Sequence, residues 1–250
     1  MILAAGRGER MRPLTDHTPK PLLEVGGKPL IAWHLERLAH AGICEVVINH
    51  AWLGEQLVER LGDGRAWGLC IVHSHEDAAL ETAGGIAKAL PLLGPDPFLV
   101  INGDVWCNWD VRRAMTLGER LQVLDALCAC VMVDNPLQHP AGDFDLQTGH
   151  LIAQPPSDPA PFDRRHARRL TFSGIGVYQP ALFAPIVPGT RAPLAPLLRA
   201  AMLQGKALGE HHAGTWCDVG TVERLNALRA QWQGAPPLDG RAPATTPHPG

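Results

Sequence analysis

The chain of 250 residues carries no excess of basic charge. Its net charge is −3 at pH 7, which gives no electrostatic case for DNA or RNA as a partner. It has no apolar run long enough to span a membrane. Its start lacks the basic n-region and cleavage site of a signal peptide. The first strand begins abruptly at Met1, which raises the expectation of a few residues upstream of it or of a misassigned start codon. No internal repeat is present, and none of the six cysteines forms a C-x-x-C pair. They read as reduced thiols of a cytoplasmic protein. Cys128 and Cys130 alternate in an apolar run and are expected on one face of a buried strand. His73 and His75 also share a strand face, but no third ligand stands nearby to complete a metal site.

What is present is an ordinary globular composition, 46% hydrophobic and 19% charged, in a length that suits one α/β domain. The informative stretch is residues 1–23, MILAAGRGERMRPLTDHTPKPLL. An apolar run, residues 1–5, breaks at Gly6 and Gly8 into a loop holding Arg7, Arg10 and Arg12, then Pro19 and Lys20. Backbone N–H groups at such a strand-to-loop turn can gather around a phosphate. The cations can neutralise a triphosphate and the charge that develops as it reacts. Two familiar glycine loops are excluded. Met11 stands where the dinucleotide fingerprint needs its third glycine, and no Gly-Lys-Ser/Thr follows Gly8.

Strand and helix patterns alternate after the loop. A helix is expected over 29–41, a strand over 45–49, a helix over 54–61 and a strand over 69–73. A Gly-rich entry, Leu80-Glu81-Thr82-Ala83-Gly84-Gly85, opens a helix to residue 90. A buried strand over 98–101 ends in Asn102-Gly103-Asp104. A helix is expected over 109–121, strands over 126–133 and 170–178, and a helix over 192–204. This alternation predicts right-handed crossovers and a mostly parallel, helix-flanked sheet. Ligands then lie beyond the carboxyl ends of the strands, where the first loop and Asp104 both fall. Asn-Gly-Asp is also plain turn chemistry. Asp218 in Trp216-Cys217-Asp218-Val219-Gly220-Thr221 precedes a helix that Thr221 can cap. Residues 1–233 are read as the domain and 234–250 as a Pro/Gly-rich disordered tail.

LAAGRGERMRPLT followed by PKPLL resembles the signature loop of the sugar-1-phosphate nucleotidyltransferases. The resemblance implies a single Rossmann-like α/β domain and a reaction that joins a nucleoside triphosphate to a sugar 1-phosphate, releasing pyrophosphate. It implies Arg10 and Lys20 as catalytic residues. Ala4, Ala5, Gly6, Gly8, Lys20, Gly84, Gly85 and Asn102 would contact the nucleotide. Asp104 and Asp218 would hold Mg²⁺. The combination Val133-Asp134-Asn135-Pro136 with Gly142-Asp143-Phe144, and the stretches around 49–54, 102–106 and 170–175, resemble a narrower branch. That branch transfers uridylyl from UTP to N-acetylmuramic acid 1-phosphate in bacterial cell-wall recycling. It implies Asn135, Asp143, Ser173 and Gly174 near the acceptor sugar. No nucleic acid or membrane partner is implied, and the protein is expected as a monomer or small homo-oligomer. A guanylyl- or thymidylyl-transferring member, or a non-catalytic sensor on the same fold, would share the loop.

Three positions depart from the family. Glu9 stands where many members carry threonine. Ala83 replaces the first of three glycines common in uridylyl-transferring relatives. Ala153-Gln154-Pro155 stands near where the wider family has a Glu-Lys-Pro motif, whose lysine touches the sugar phosphate. Either another cation serves, with Arg164, Arg165, Arg168 and Arg169 as candidates, or the acceptor is held differently.

Overall fold

The computed structural model describes residues 1–152 and 167–233. Strand β1 (Ile2–Leu3) feeds the first loop, which contains a one-turn helix, α1 (Leu14–His17). A small hairpin, β2 (Glu24–Val25) and β3 (Lys28–Pro29), leads into α2 (Leu30–His40). Then come β4 (Glu45–His50), α3 (Gly54–Leu61), β5 (Cys70–His75), α4 (Glu81–Leu93) and β6 (Phe98–Asn102). Strand β7 (Val105–Cys107), α5 (Arg113–Val123) and β8 (Cys128–Val133) follow. The chain continues through β9 (Phe144–Gln147), β10 (His150–Ile152) and β11 (Arg168–Tyr178). It ends with α6 (Ala195–Leu203), β12 (Ala207–His212), β13 (Trp216–Asp218) and α7 (Val222–Gln233).

Nine strands form one sheet in the order β5-β4-β1-β6-β11-β8-β12-β10-β9. The half from β5 to β6 is parallel, as helix crossovers require. The other half is mixed. Strand β11 runs antiparallel to both β6 and β8, and β9 pairs antiparallel with β10 and β11. Among the described residues no helix lies between β8 and β11, so nothing there returns the chain in the parallel sense. Thr148 and Gly149, both at positive φ, make the tight turn that folds β9 back onto β10.

Most expected elements stand within a few residues of their positions, and two shifts have local causes. Helix α5 starts at Arg113 rather than 109, because Trp109 is buried and Asp110 turns back to accept from the Arg112 backbone N–H at 3.1 Å. Helix α6 starts at Ala195 rather than 192. The Ala192 carbonyl instead accepts from the backbone N–H groups of Ala83 and Gly84, and the Ala192 N–H donates to Leu80.

The sheet has a core on each face. Ile2, Ile48, Leu57 and Ile71 pack on one side; Ile86, Phe98, Met132 and Leu198 pack on the other. Cys128 and Cys130 point to the second side while Ala129 and Val131 point to the first, the alternation expected of a buried strand. A third cluster matters most for position. Met11, Val25, Leu30, Trp106, Val219, Leu225 and Leu228 pack together, pinning α7 against the first loop. Met11, fully buried, is the anchor.

Candidate active site

The first loop starts at the carboxyl end of β1, between β4 and β6. Gly8 sits at φ +69°, a conformation that disfavours a side chain, and a Cβ there would meet Thr15 Cγ2 at 2.9 Å. The Thr15 hydroxyl donates to the Gly8 carbonyl at 2.8 Å, fixing the turn. Gly6 has open space where a side chain would be, so its backbone can be approached. Arg7 is taken up by the face of Trp52, 4.3 Å from the ring centre, and Arg12 pairs with Asp16 at 2.6 Å. Arg10 is left exposed at the mouth of a cavity.

That cavity, about 360 Å³, is walled by residues 3–6, Gly8, Glu9, Arg10, Lys20, Asn102 and Asp104, with Ala79, Glu81 and Thr82 opposite. A second cavity of about 200 Å³ adjoins it, lined by Thr171, Ser173, Gly174, Trp216, Asp218 and Arg224 among others. Asn102 and Asp104 line both and form the shared wall. Gly174 allows this: at φ +82° its missing Cβ leaves room for the Asn102 amide, which a Cβ would meet at 2.7 Å.

Asp104 and Asp218 are brought together by a two-stranded ribbon. Strand β13 pairs antiparallel with β7, setting Asp218 opposite Val105, and the Val219 N–H donates to the Asp104 carbonyl at 2.8 Å. Each carboxylate has one cation. Lys20 Nζ, on a side chain nine-tenths buried, reaches Asp104 Oδ2 at 2.5 Å. Arg224 Nη1 donates to Asp218 Oδ1. Among the described residues no group of three or more His, Cys, Asp or Glu is arranged to hold a metal ion. Two carboxylates on paired strands nevertheless offer the oxygen donors that would suit Mg²⁺.

Of the expected site residues, the fold brings Ala4, Ala5, Gly6, Gly8, Arg10, Lys20, Asn102 and Asp104 to the larger cavity, and Ser173, Gly174 and Asp218 to the smaller. Four expected contact residues lie elsewhere. Gly84 and Gly85 are buried in the first turn of α4 and line neither cavity. A Cβ on Gly84 would meet the Thr190 carbonyl at 2.3 Å, and one on Gly85 would meet Glu76 Oε1 at 2.7 Å, so close packing by itself requires glycine at both positions. Asn135 and Asp143 brace the loop between them. Asn135 donates to the Pro140 and Arg169 carbonyls and accepts from Thr171. Asp143 accepts from the Phe172 N–H at 2.8 Å and contacts His139 Nε2 at 3.0 Å. Their neighbours Pro136, Gln138 and His139 are the residues that line the smaller cavity.

Other residues at the site were given no role from the sequence. Asn49, fully buried, accepts from the Ala4 N–H at 3.0 Å and donates to Glu76 at 2.7 Å, and Glu76 accepts from the Leu80 N–H at 2.9 Å. This buried relay ties the first loop to the start of α4. Glu81, at φ +60° on the cavity wall, pairs with Arg191 at 2.7 Å. His34 lies beneath the site at 2% exposure, and burial, with help from Arg37, holds its pKa down to about 4. Arg168 and Arg169 pair with Asp134 and Asp145, and line neither cavity. Arg164, Arg165, the Gln154-Pro155 departure and the expected tail lie outside the described residues. His73 and His75 flank His50, with ring centres 5.5 and 5.4 Å from it.

Known proteins share this fold. The family model described as nucleotidyl transferase matches residues 1–233. The chain is 52% identical over 238 residues to N-acetylmuramate alpha-1-phosphate uridylyltransferase of Neisseria meningitidis serogroup B, covering 93% of this chain and 99% of that one. It is 32% identical to the protein of the same name from Caulobacter vibrioides, covering 92% and 95%. A solved structure named for glucose-1-phosphate thymidylyltransferase from Bacillus anthracis superposes with a TM-score of 0.78 at 22% identity, covering 94% and 95% of the two chains, which establishes the shared fold. The chain belongs to the nucleotidyl transferase family.

Proposed function

We propose that this chain transfers UMP from UTP to N-acetylmuramic acid 1-phosphate, giving UDP-N-acetylmuramic acid and pyrophosphate. The observation that carries the reading is the 52% identity along essentially the whole of both chains to an enzyme of that name. The two adjoining cavities supply the chemistry: one for a nucleotide, one for an acceptor, with Asn102 and Asp104 between them.

The attacking oxygen belongs to a phosphate and is already an anion, so no general base is needed. The work is positioning and charge stabilisation. The open backbone of Gly6 and the turn at Gly8 receive the triphosphate. Lys20 leaves Asp104 for the α-phosphate. Arg10 faces the leaving pyrophosphate, where its planar guanidinium can make two parallel bonds. Asp104 and Asp218 would hold Mg²⁺, whose charge would lower the repulsion between the two phosphate groups. In this reading the protein works in the cytoplasm as a monomer or small homo-oligomer.

Pyrophosphate release measured over a matrix of nucleoside triphosphates and sugar 1-phosphates tests the reading. UTP with N-acetylmuramic acid 1-phosphate is expected to be the best pair. Faster turnover of GTP with mannose 1-phosphate, or of dTTP with glucose 1-phosphate, would overturn it.

A further inference from the structure

The smaller cavity has two carboxylates, Asp104 and Asp218, and in the proposed function it receives a phosphate monoester. It therefore needs a cation of its own. Arg224 is the only lysine or arginine that lines it among the described residues. The side chain is four-fifths buried, so its guanidinium is held rather than swept through solvent.

Arg224 mirrors Lys20 across the shared wall. Lys20 lines the larger cavity and pairs with Asp104; Arg224 lines the smaller and pairs with Asp218. When the carboxylates turn to a divalent cation, both side chains lose their partner. A buried cation left without an anion is costly, so each takes the nearest substrate charge. For Lys20 that charge comes from the nucleotide. For Arg224 it comes from the acceptor. The guanidinium is also close to the reacting centre. A Cβ on Gly220 would lie 2.3 Å from Arg224 Nη2 and 3.1 Å from Arg10 Nη2, so two guanidiniums converge on one glycine. Among the described residues the other candidates are engaged: Arg168 and Arg169 hold Asp134 and Asp145 outside the cavity, and His139 is already in contact with Asp143.

We propose that Arg224 binds the phosphate of the sugar 1-phosphate, supplying in this chain the charge that the absent Glu-Lys-Pro lysine would have supplied. The inference rests on the proposed function for the class of acceptor, and on the cavity and its one cation among the described residues for the residue.

Calorimetric titration tests it, using N-acetylmuramic acid 1-phosphate and, separately, unphosphorylated N-acetylmuramic acid. Each is added to the full chain with Mg²⁺ and a non-hydrolysable UTP analogue. Wild type should bind the phosphate ester more tightly than the free sugar. Arg224→Ala should lose affinity for the ester by about 10- to 100-fold, the worth of a charge-assisted hydrogen bond, with affinity for the UTP analogue kept within about threefold. Arg224→Lys should recover part of the loss, and Arg224→Gln serves if the alanine variant does not fold. Three results would overturn the proposal: unchanged binding of the ester, equal losses for ester and UTP analogue, or a lowered thermal midpoint with both affinities intact. If another sugar 1-phosphate outperforms the muramic acid ester, the acceptor assignment fails. The Arg224 effect is then read with that better acceptor.

Discussion

Gly220→Ala separates the placement of the two guanidiniums from the stability of the fold. Gly220 is not among the glycines at positive φ, so its backbone accepts alanine. The added methyl group would stand 2.3 Å from Arg224 Nη2 and 3.1 Å from Arg10 Nη2, where ordinary contact begins at 3.4 Å. Arg224 must therefore retreat by about 1 Å and Arg10 by a few tenths of an ångström. A misplacement of about 1 Å at a reacting centre costs about 10²-fold in rate. Both guanidiniums are ends of flexible side chains, so the fold can yield at little cost, within about 0.5 kcal/mol. The expected outcome is a fall of about 10²-fold in kcat/KM, equivalent to about 2.7 kcal/mol of transition-state stabilisation, with an unmoved thermal midpoint. Continuous pyrophosphate release and a thermal melt on the same preparation read both quantities. Gly118→Ala is the control. It lies in α5 with only Pro97 Cβ at 3.5 Å, and should gain about 0.4–1 kcal/mol of stability with unchanged activity. Activity within about threefold of wild type in Gly220→Ala would refute the reasoning, because that is under 1 kcal/mol of transition-state binding.

Arg10→Ala should fold normally and bind UTP with modest loss while kcat falls at least about 10²-fold, as when one preorganised donor is removed; a rise in KM for UTP alone would make it a binding residue only. Asp104→Asn removes the anion opposite Lys20 as well as a metal charge. Activity should fall by orders of magnitude, Mn²⁺ binding followed by electron paramagnetic resonance should weaken, and stability should drop by about 1 kcal/mol, a modest amount because Asp104 is partly exposed. His34 is neutral when folded, with a pKa near 4 against 6.5 unfolded. The unfolded chain binds the extra proton between those values, so stability is full above about pH 6.5 and is lost as pH falls toward 4, by about 3 kcal/mol. Burial and the neighbouring His73 and His75 lower the pKa of His50 in the same direction. Denaturant midpoints of wild type and His34→Leu across pH 4–7 check this, and an equally steep acid loss in the variant would exclude His34 as its source.

What the chain's own order decides is local. A strand that breaks at Gly6 and Gly8, cations at Arg10 and Lys20, and a carboxylate ending an apolar strand at Asp104 are each legible because their chemistry sits within a few neighbouring residues. Helix α2 is legible for the same reason: Leu30, Ile31, Leu35 and Leu38 repeat at helical spacing and are all buried. Tertiary structure decided what depends on partners far along the chain. The glycines at 84 and 85 read as a ligand wall, and only the fold shows that the Thr190 carbonyl, Glu76 and Asn49 stand where their side chains would be. Asn135 and Asp143 read as acceptor contacts, but the return of β11 gives their polar atoms backbone partners at Arg169 and Phe172. Strand direction in the second half of the sheet depends on which segment fills the slot between β6 and β8, and no residue pattern in β11 records that choice. Arg224 stands only six residues from Asp218, in what reads as an ordinary capped helix. Its place beside Arg10 comes from Met11, Val219 and Leu225 packing into one cluster, a contact between the two ends of the domain that local sequence does not encode.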